Sequence, residues 1–112
     1  MFDSINEAQT LNAPETKRIQ LSDGFTAPEE FYDQSVAWVA GRLQVLALED
    51  EHLTDERGCL VKKIAGKVYW AQLSHGDRSL FGRCIAHAVY HGLLLLEFVK
   101  HAHEYPKRYR RK

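Results

Sequence analysis

Leu80, Phe81, Cys84, Ile85, Ala88 and Val89 recur at i, i+1, i+4, i+5, i+8 and i+9, and Gly92 follows them. At about 100° per residue these positions share one arc, which makes the segment an amphipathic helix with a buried face. Gly92 stands where helices commonly turn left-handed. The spacing therefore predicts a helix over 79–91, capped by Asp77 or Ser79 out of a loop that runs from Ser74 to Ser79. A single apolar stripe has to be covered by a second element. Upstream, Thr26-Ala27-Pro28-Glu29-Glu30 supplies an N-cap, a first-turn proline and two acids at the positive end of a helix dipole. Phe31, Tyr32, Val36, Trp38, Val39, Leu43, Val45 and Leu46 then fall on one broad arc, so a helix is predicted over 28–49, with Trp38 and Phe81 in a common core. Arg42 lies within that arc. Its expected place is along the core edge, stacked on Trp38, unless it reaches an acidic partner or a phosphate.

The remaining segments complete a small α+β domain. Residues 1–26 mix polar and small side chains, with Pro14 and Ser22-Asp23-Gly24 as interruptions, and are read as a partly flexible N-terminal arm with a short helix near Ser4 to Leu11. Thr54 to Gly58 is a turn or a short helix. Cys59 to Leu73 is rich in β-branched and aromatic residues on both sides of Ala65-Gly66 and reads as a β-hairpin. Leu93 to Val99 is a strand, a turn follows around His103 to Pro106, and Lys107 to Lys112 is a basic strand or tail. Residues 27–112 thus form a single globular domain with a basic C-terminal tail, built of two main helices and one or two β-hairpins. At 112 residues the chain can bury one core without covalent staples.

No run of 18 apolar residues occurs, and the Met-Phe-Asp-Ser start has neither a basic nor an apolar leader region. These features predict a cytoplasmic protein with no membrane partner and with Cys59 and Cys84 as reduced thiols. The formal net charge is zero, yet the charge is segregated along the chain. Residues 1–56 carry 12 acids against three bases, a net −9, and residues 57–112 carry 12 bases against three acids, a net +9, together with five of the six histidines. Two arrangements follow from this polarity. The halves fold together and neutralise each other, or the basic half meets an anionic partner.

The order of helix, Gly92, apolar strand, turn and basic strand resembles the second half of a winged helix-turn-helix domain. The resemblance covers about 35 residues, from Arg78-Ser79-Leu80-Phe81-Gly82-Arg83-Cys84 through His91-Gly92-Leu93 to the wing at 96–112. It implies that the helix lies in the major groove of DNA and that the wing touches phosphates. The family also has a short helix just before residue 77, where this sequence shows Lys67-Val-Tyr-Trp-Ala-Gln-Leu73, read above as a strand. Independently of the resemblance, the polar side of helix 79–91 presents Gly82, Arg83, Ala86 and Tyr90, with Arg78 at its start. Small residues beside an arginine and an aromatic permit close approach to a surface, and arginine can grip a guanine edge or a phosphate. The same small residues would suit a helix contact in a homodimer. Lys107, Arg108, Arg110, Arg111 and Lys112 add five positive charges around Tyr109. The expected function is accordingly nucleic-acid binding, DNA foremost, through Arg78, Arg83, Tyr90, Lys107, Arg108, Arg110 and Arg111.

The alternative is a protein-interaction module that uses Glu49, Asp50, Glu51 and Asp55 in the acidic half, such as an inhibitor from a phage or mobile element or a subunit of an assembly. Cys84, His87 and His91 share about 60° of one helix face and form a three-residue zinc set by type. Cys84 also belongs to the apolar arc, so core packing is expected there and no metal or other cofactor. No carboxylate at helical spacing orients a Cys-His pair, and the chain has no phosphate loop or serine elbow. The reading is therefore of a protein that is not an enzyme.

Overall fold

The computed structural model describes residues 17–49, 58–99 and 107–112. In chain order these form β1 (Arg18–Gln20), β2 (Thr26–Pro28), α1 (Glu29–Glu49), β3 (Cys59–Leu60), α2 (Val61–Ala65), α3 (Lys67–Gln72), α4 (His75–Tyr90), β4 (Leu96–Phe98) and β5 (Arg108–Arg111). The expected α+β class is observed. Strands β1 and β2 make an antiparallel hairpin, and β3, β5 and β4 make an antiparallel sheet in that order. Both main helices are present. α1 starts directly out of β2, with Glu29 and Glu30 in its first turn. α4 starts a turn earlier than the apolar period suggests, because Ser74 is its N-cap and the Ser74 Oγ accepts from the Asp77 amide at 3.1 Å. Its far end matches expectation. The Leu93 N–H donates to the Ala88 carbonyl at 2.8 Å and the Gly92 N–H to the Val89 carbonyl at 3.1 Å, with Gly92 at φ 74°. That double closure is a Schellman motif, and it aims the chain at β4.

The core lies between α1, α4 and the sheet. Phe81, Cys84, Ile85 and Ala88 of α4 are fully buried beside Val39 of α1, Ile64 of α2 and Leu96 of β4. Burial of a side chain such as Phe81 contributes about 1.5–3 kcal/mol. Trp38 departs from its expected core position. It is 39% exposed, stacks on Tyr69 of α3 at 4.4 Å and donates its indole N–H to the Ala65 carbonyl at 2.8 Å. Arg42 does not stack on it. Its Nε donates to the Ile64 carbonyl at 3.0 Å, so two α1 side chains satisfy carbonyls at the end of α2.

The expected hairpin over 59–73 is replaced by two residues of strand and two short helices. Leu60, Val61, Ile64 and Ala65 repeat the i, i+1, i+4, i+5 spacing of α4, and Ile64 and Ala65 are buried. Burial against α1 outweighs the strand preference of β-branched residues, which is a context-dependent quantity. Gly66, at φ 96°, breaks the two helices apart. Of the strand and the tail expected at the basic C-terminus, the strand is observed. β5 is the middle strand of its sheet, with Cys59 opposite Tyr109 on one side and Phe98 opposite Tyr109 on the other. Residues 18–20, placed by the sequence in the arm, pair with 26–28. The short helix expected near Ser4 to Leu11, the turn or helix from Thr54 and the turn at 103–106 fall outside the described residues, apart from Gly58.

Two positions predict stability changes. Gly58 has φ 65°, and a Cβ there would stand 2.6 Å from the Tyr109 carbonyl oxygen. Gly58→Ala should therefore destabilise the fold by about 1–3 kcal/mol in urea unfolding. Ser35 is 1% exposed and its hydroxyl has no hydrogen-bond partner among the described residues. Ser35→Ala should raise stability by about 1 kcal/mol in the same measurement, because an unsatisfied buried hydroxyl is removed.

Candidate nucleic-acid interface

One face of α4 goes to the core and leaves the opposite face as the wall of a groove. Arg78, Ser79, Gly82, Arg83, Ala86 and Tyr90 line a space of about 820 Å³. These are the residues that the helical period places opposite the apolar arc, with Ser79 added. Across the groove stand Leu60, Val61 and Lys62 at the start of α2, then Phe98, Lys107 and Tyr109 from the β4–β5 side, while Ser22 and Asp23 of the β1–β2 turn close one part of the rim. Among the described residues, Lys62, Arg78, Arg83 and Lys107 give the lining four cations against the single carboxylate of Asp23. Lys62, Trp70 and Phe98 were not singled out in the sequence. Lys62 is recognisable there only once the 59–73 segment is read as helix, since the helix start brings it to face α4.

The arginines are held in place. Arg78 Nε donates to the Trp70 carbonyl at 3.0 Å, and its guanidinium lies 5.6 Å from the centre of the Trp70 ring. Arg83 Nη1 meets Asp23 Oδ2 at 2.6 Å, with side chains 35% and 39% exposed. Its guanidinium carbon also sits 3.8 Å from the centre of the Phe25 ring. Each bond takes one of the five N–H donors of a guanidinium, so further acceptors can be gripped. Burial pushes the Asp23 carboxyl up, but the Phe25 amide and Arg83 outweigh it and hold it below the usual carboxylate value.

The basic residues at and just before β5 have separate places. Lys107 lines the groove and Arg108 is exposed. Arg110 Nε pairs at 2.6 Å with Glu97 Oε2, its register partner on β4. Arg111 Nη1 donates to the Leu43 carbonyl of α1 at 3.1 Å. Arg110 and Arg111 therefore brace the sheet, and neither lines the groove. Of the acidic set, Asp50, Glu51 and Asp55 lie outside the described residues, as does the side chain of Glu49.

Among the described residues no group of three or more His, Cys, Asp or Glu side chains could hold a metal ion. Cys84 points into the core at 0% exposure. His87 accepts at Nδ1 from the Ser22 amide at 2.8 Å, and its ring lies 4.3 Å from that of His91. Burial is the main cause that pushes the Cys84 thiol up to about 12, which leaves almost no thiolate at neutral pH. With Cys59 buried as well, neither thiol should react with Ellman's reagent in the native protein at pH 8, and both should react at once in denaturant. Rapid native reaction of one equivalent would contradict the packing. No protein-family model, curated protein or solved structure matches the chain.

Proposed function

We propose that the protein binds nucleic acid, with duplex DNA as its first candidate ligand, along the exposed face of α4. The observation that carries this reading is the groove itself, in which, among the described residues, four cations and one carboxylate surround a helix face made narrow by Ser79, Gly82 and Ala86. Small side chains admit a phosphate or a base edge to the helix backbone, and anchored guanidinium groups lose little freedom on binding it. Tyr90, 64% exposed at the end of the same face, adds a surface on which a sugar or base can stack.

The order of elements supports the same reading. The short α3 ends at Gln72, two residues before the N-cap of α4, and the β4–β5 pair follows α4. A short helix, a tight turn, a longer helix and a strand pair are the parts of the winged helix-turn-helix arrangement that the sequence resembles. In that arrangement the longer helix enters the major groove, which is about 12 Å wide, and the wing reaches the backbone. Lys107, which leads into β5 and lines the groove, is the wing's phosphate contact in this reading.

Fluorescence anisotropy with random and genomic duplexes of about 25 base pairs at about 0.1 M salt tests this. The wild type should bind in the micromolar range or tighter. Arg78→Ala and Arg83→Ala should each weaken binding by about 1–3 kcal/mol. Lys62→Ala should reduce the magnitude of the salt slope by about one, as expected for loss of one phosphate contact. Absence of binding at tens of micromolar protein would contradict the proposal.

A further inference from the structure

The tip of the β1–β2 hairpin grips α4 at two points one turn apart. Asp23 and Phe25 hold Arg83 between a carboxylate at 2.6 Å and a ring at 3.8 Å. The Ser22 N–H donates to His87 Nδ1 at 2.8 Å. The tip is itself closed, since the Leu21 amide bonds the Phe25 carbonyl at 2.7 Å and the Phe25 amide bonds Asp23 Oδ1 at 3.1 Å. Ser22 and Asp23 thereby stand in the rim of the groove, where the Asp23 carboxylate is paired with one of the lining cations, Arg83.

We propose that this hairpin tip is a releasable clasp on α4, opened by protonation of His87 or by an anion that takes Arg83 from Asp23, so that it gates the basic groove. The identity of that anion as a nucleic-acid phosphate rests on the function proposed above; the clasp and its response to protons do not. An imidazole nitrogen accepts a hydrogen bond only while it is unprotonated, and a proton on Nδ1 sets two donors against each other. The groups that face His87 are Asp23 of the hairpin, Tyr32 of α1 and His91 at the end of α4, with buried Cys84 one turn below. Burial and then His91 push His87 below its ordinary value, and Asp23 opposes them. The hairpin itself favours neutral His87 through the Ser22 N–H, which needs an unprotonated Nδ1 to accept it. By linkage, docking is complete above the ordinary imidazole value and is lost as the pH falls below it. The Asp23–Arg83 pair is more than one-third exposed, and pairs of this kind are readily displaced.

Two measurements on the full chain test the clasp. The first is amide hydrogen exchange at Ser22 by NMR between pH 7.5 and 5.5, corrected for intrinsic rates. Protection in the wild type should fall by up to about tenfold per pH unit below the imidazole range. In His87→Asn, which keeps an acceptor without a titrating ring, it should stay flat. Protection in the wild type that is independent of pH would overturn the proton response. In Asp23→Asn, Ser22 protection should drop even at pH 7.5, and unchanged protection there would overturn the two-point grip. The second measurement is binding of a random duplex at pH 7.5. Asp23→Asn should tighten it by about two- to fivefold, and Asp77→Asn, the same charge loss on α4 away from Arg83, by less than half as much. Equal tightening by both would overturn gating at Arg83. If neither the wild type nor Asp23→Asn binds, the nucleic-acid reading fails, and the exchange data still decide the clasp.

Discussion

The burial of Tyr109 in the last strand is the constraint on which the rest of the domain depends. Its side chain is 2% exposed, it pairs with Cys59 and Phe98 on either side, and burial raises its phenol well above the usual value. Because β5 is the middle strand, β3 and β4 both pair with it and not with each other. β3 leads straight into α2 and β4 follows α4, so β5 sets how the two walls of the groove face one another. Arg111 extends this bracing to α1 through the Leu43 carbonyl, and the Arg110–Glu97 pair fastens β5 to β4.

That placement changes the meaning of the basic C-terminus. A cluster such as Lys107-Arg-Tyr-Arg-Arg-Lys112 suggests a solvated phosphate-binding tail when only composition is considered. In the strand, Tyr109 instead goes to the core, and Arg110 and Arg111 take structural partners, which leaves Lys107 on the groove and Arg108 exposed. The charge segregation of the sequence is partly answered across the halves, since Asp23 pairs with Arg83, and partly within the basic half, since Glu97 pairs with Arg110. Exposed pairs of this sort contribute about 0–1 kcal/mol each. They position side chains more than they stabilise the fold.

Helices α1 and α4 were legible in the sequence because their apolar period is sustained over several turns, and with α4 came both its buried arc and its outer face. The face needed no contact information: once Phe81, Cys84, Ile85 and Ala88 turn inward, Gly82, Arg83 and Ala86 have to turn outward. Residues 59–73 misled for a physical reason. Val61, Ile64, Val68, Tyr69 and Trp70 favour strands locally, while Leu60, Val61, Ile64 and Ala65 keep a helical spacing up to the break at Gly66, and tertiary burial of Ile64 and Ala65 decided between the two. Trp38 illustrates a different limit. Periodicity placed it on the apolar side of α1, but its indole N–H needs an acceptor, and the Ala65 carbonyl at the edge of α2 supplies one at the surface. The hairpin contact of Asp23 with Arg83 spans 60 residues and left no local signal at all.

The central claim is that the C-terminal strand organises the domain and is not an appendage to it. The most direct measurement is thermal unfolding, followed by far-UV circular dichroism, of the full chain beside a chain ending at Pro106. The loss of a central strand with a buried aromatic should remove at least the about 3–5 kcal/mol typical of deleting one large core side chain, a large part of the stability of a domain this size. The shortened chain should therefore show no cooperative transition, or one lowered by well over 10 °C. A shortened chain that melts cooperatively at the temperature of the full protein would contradict the account.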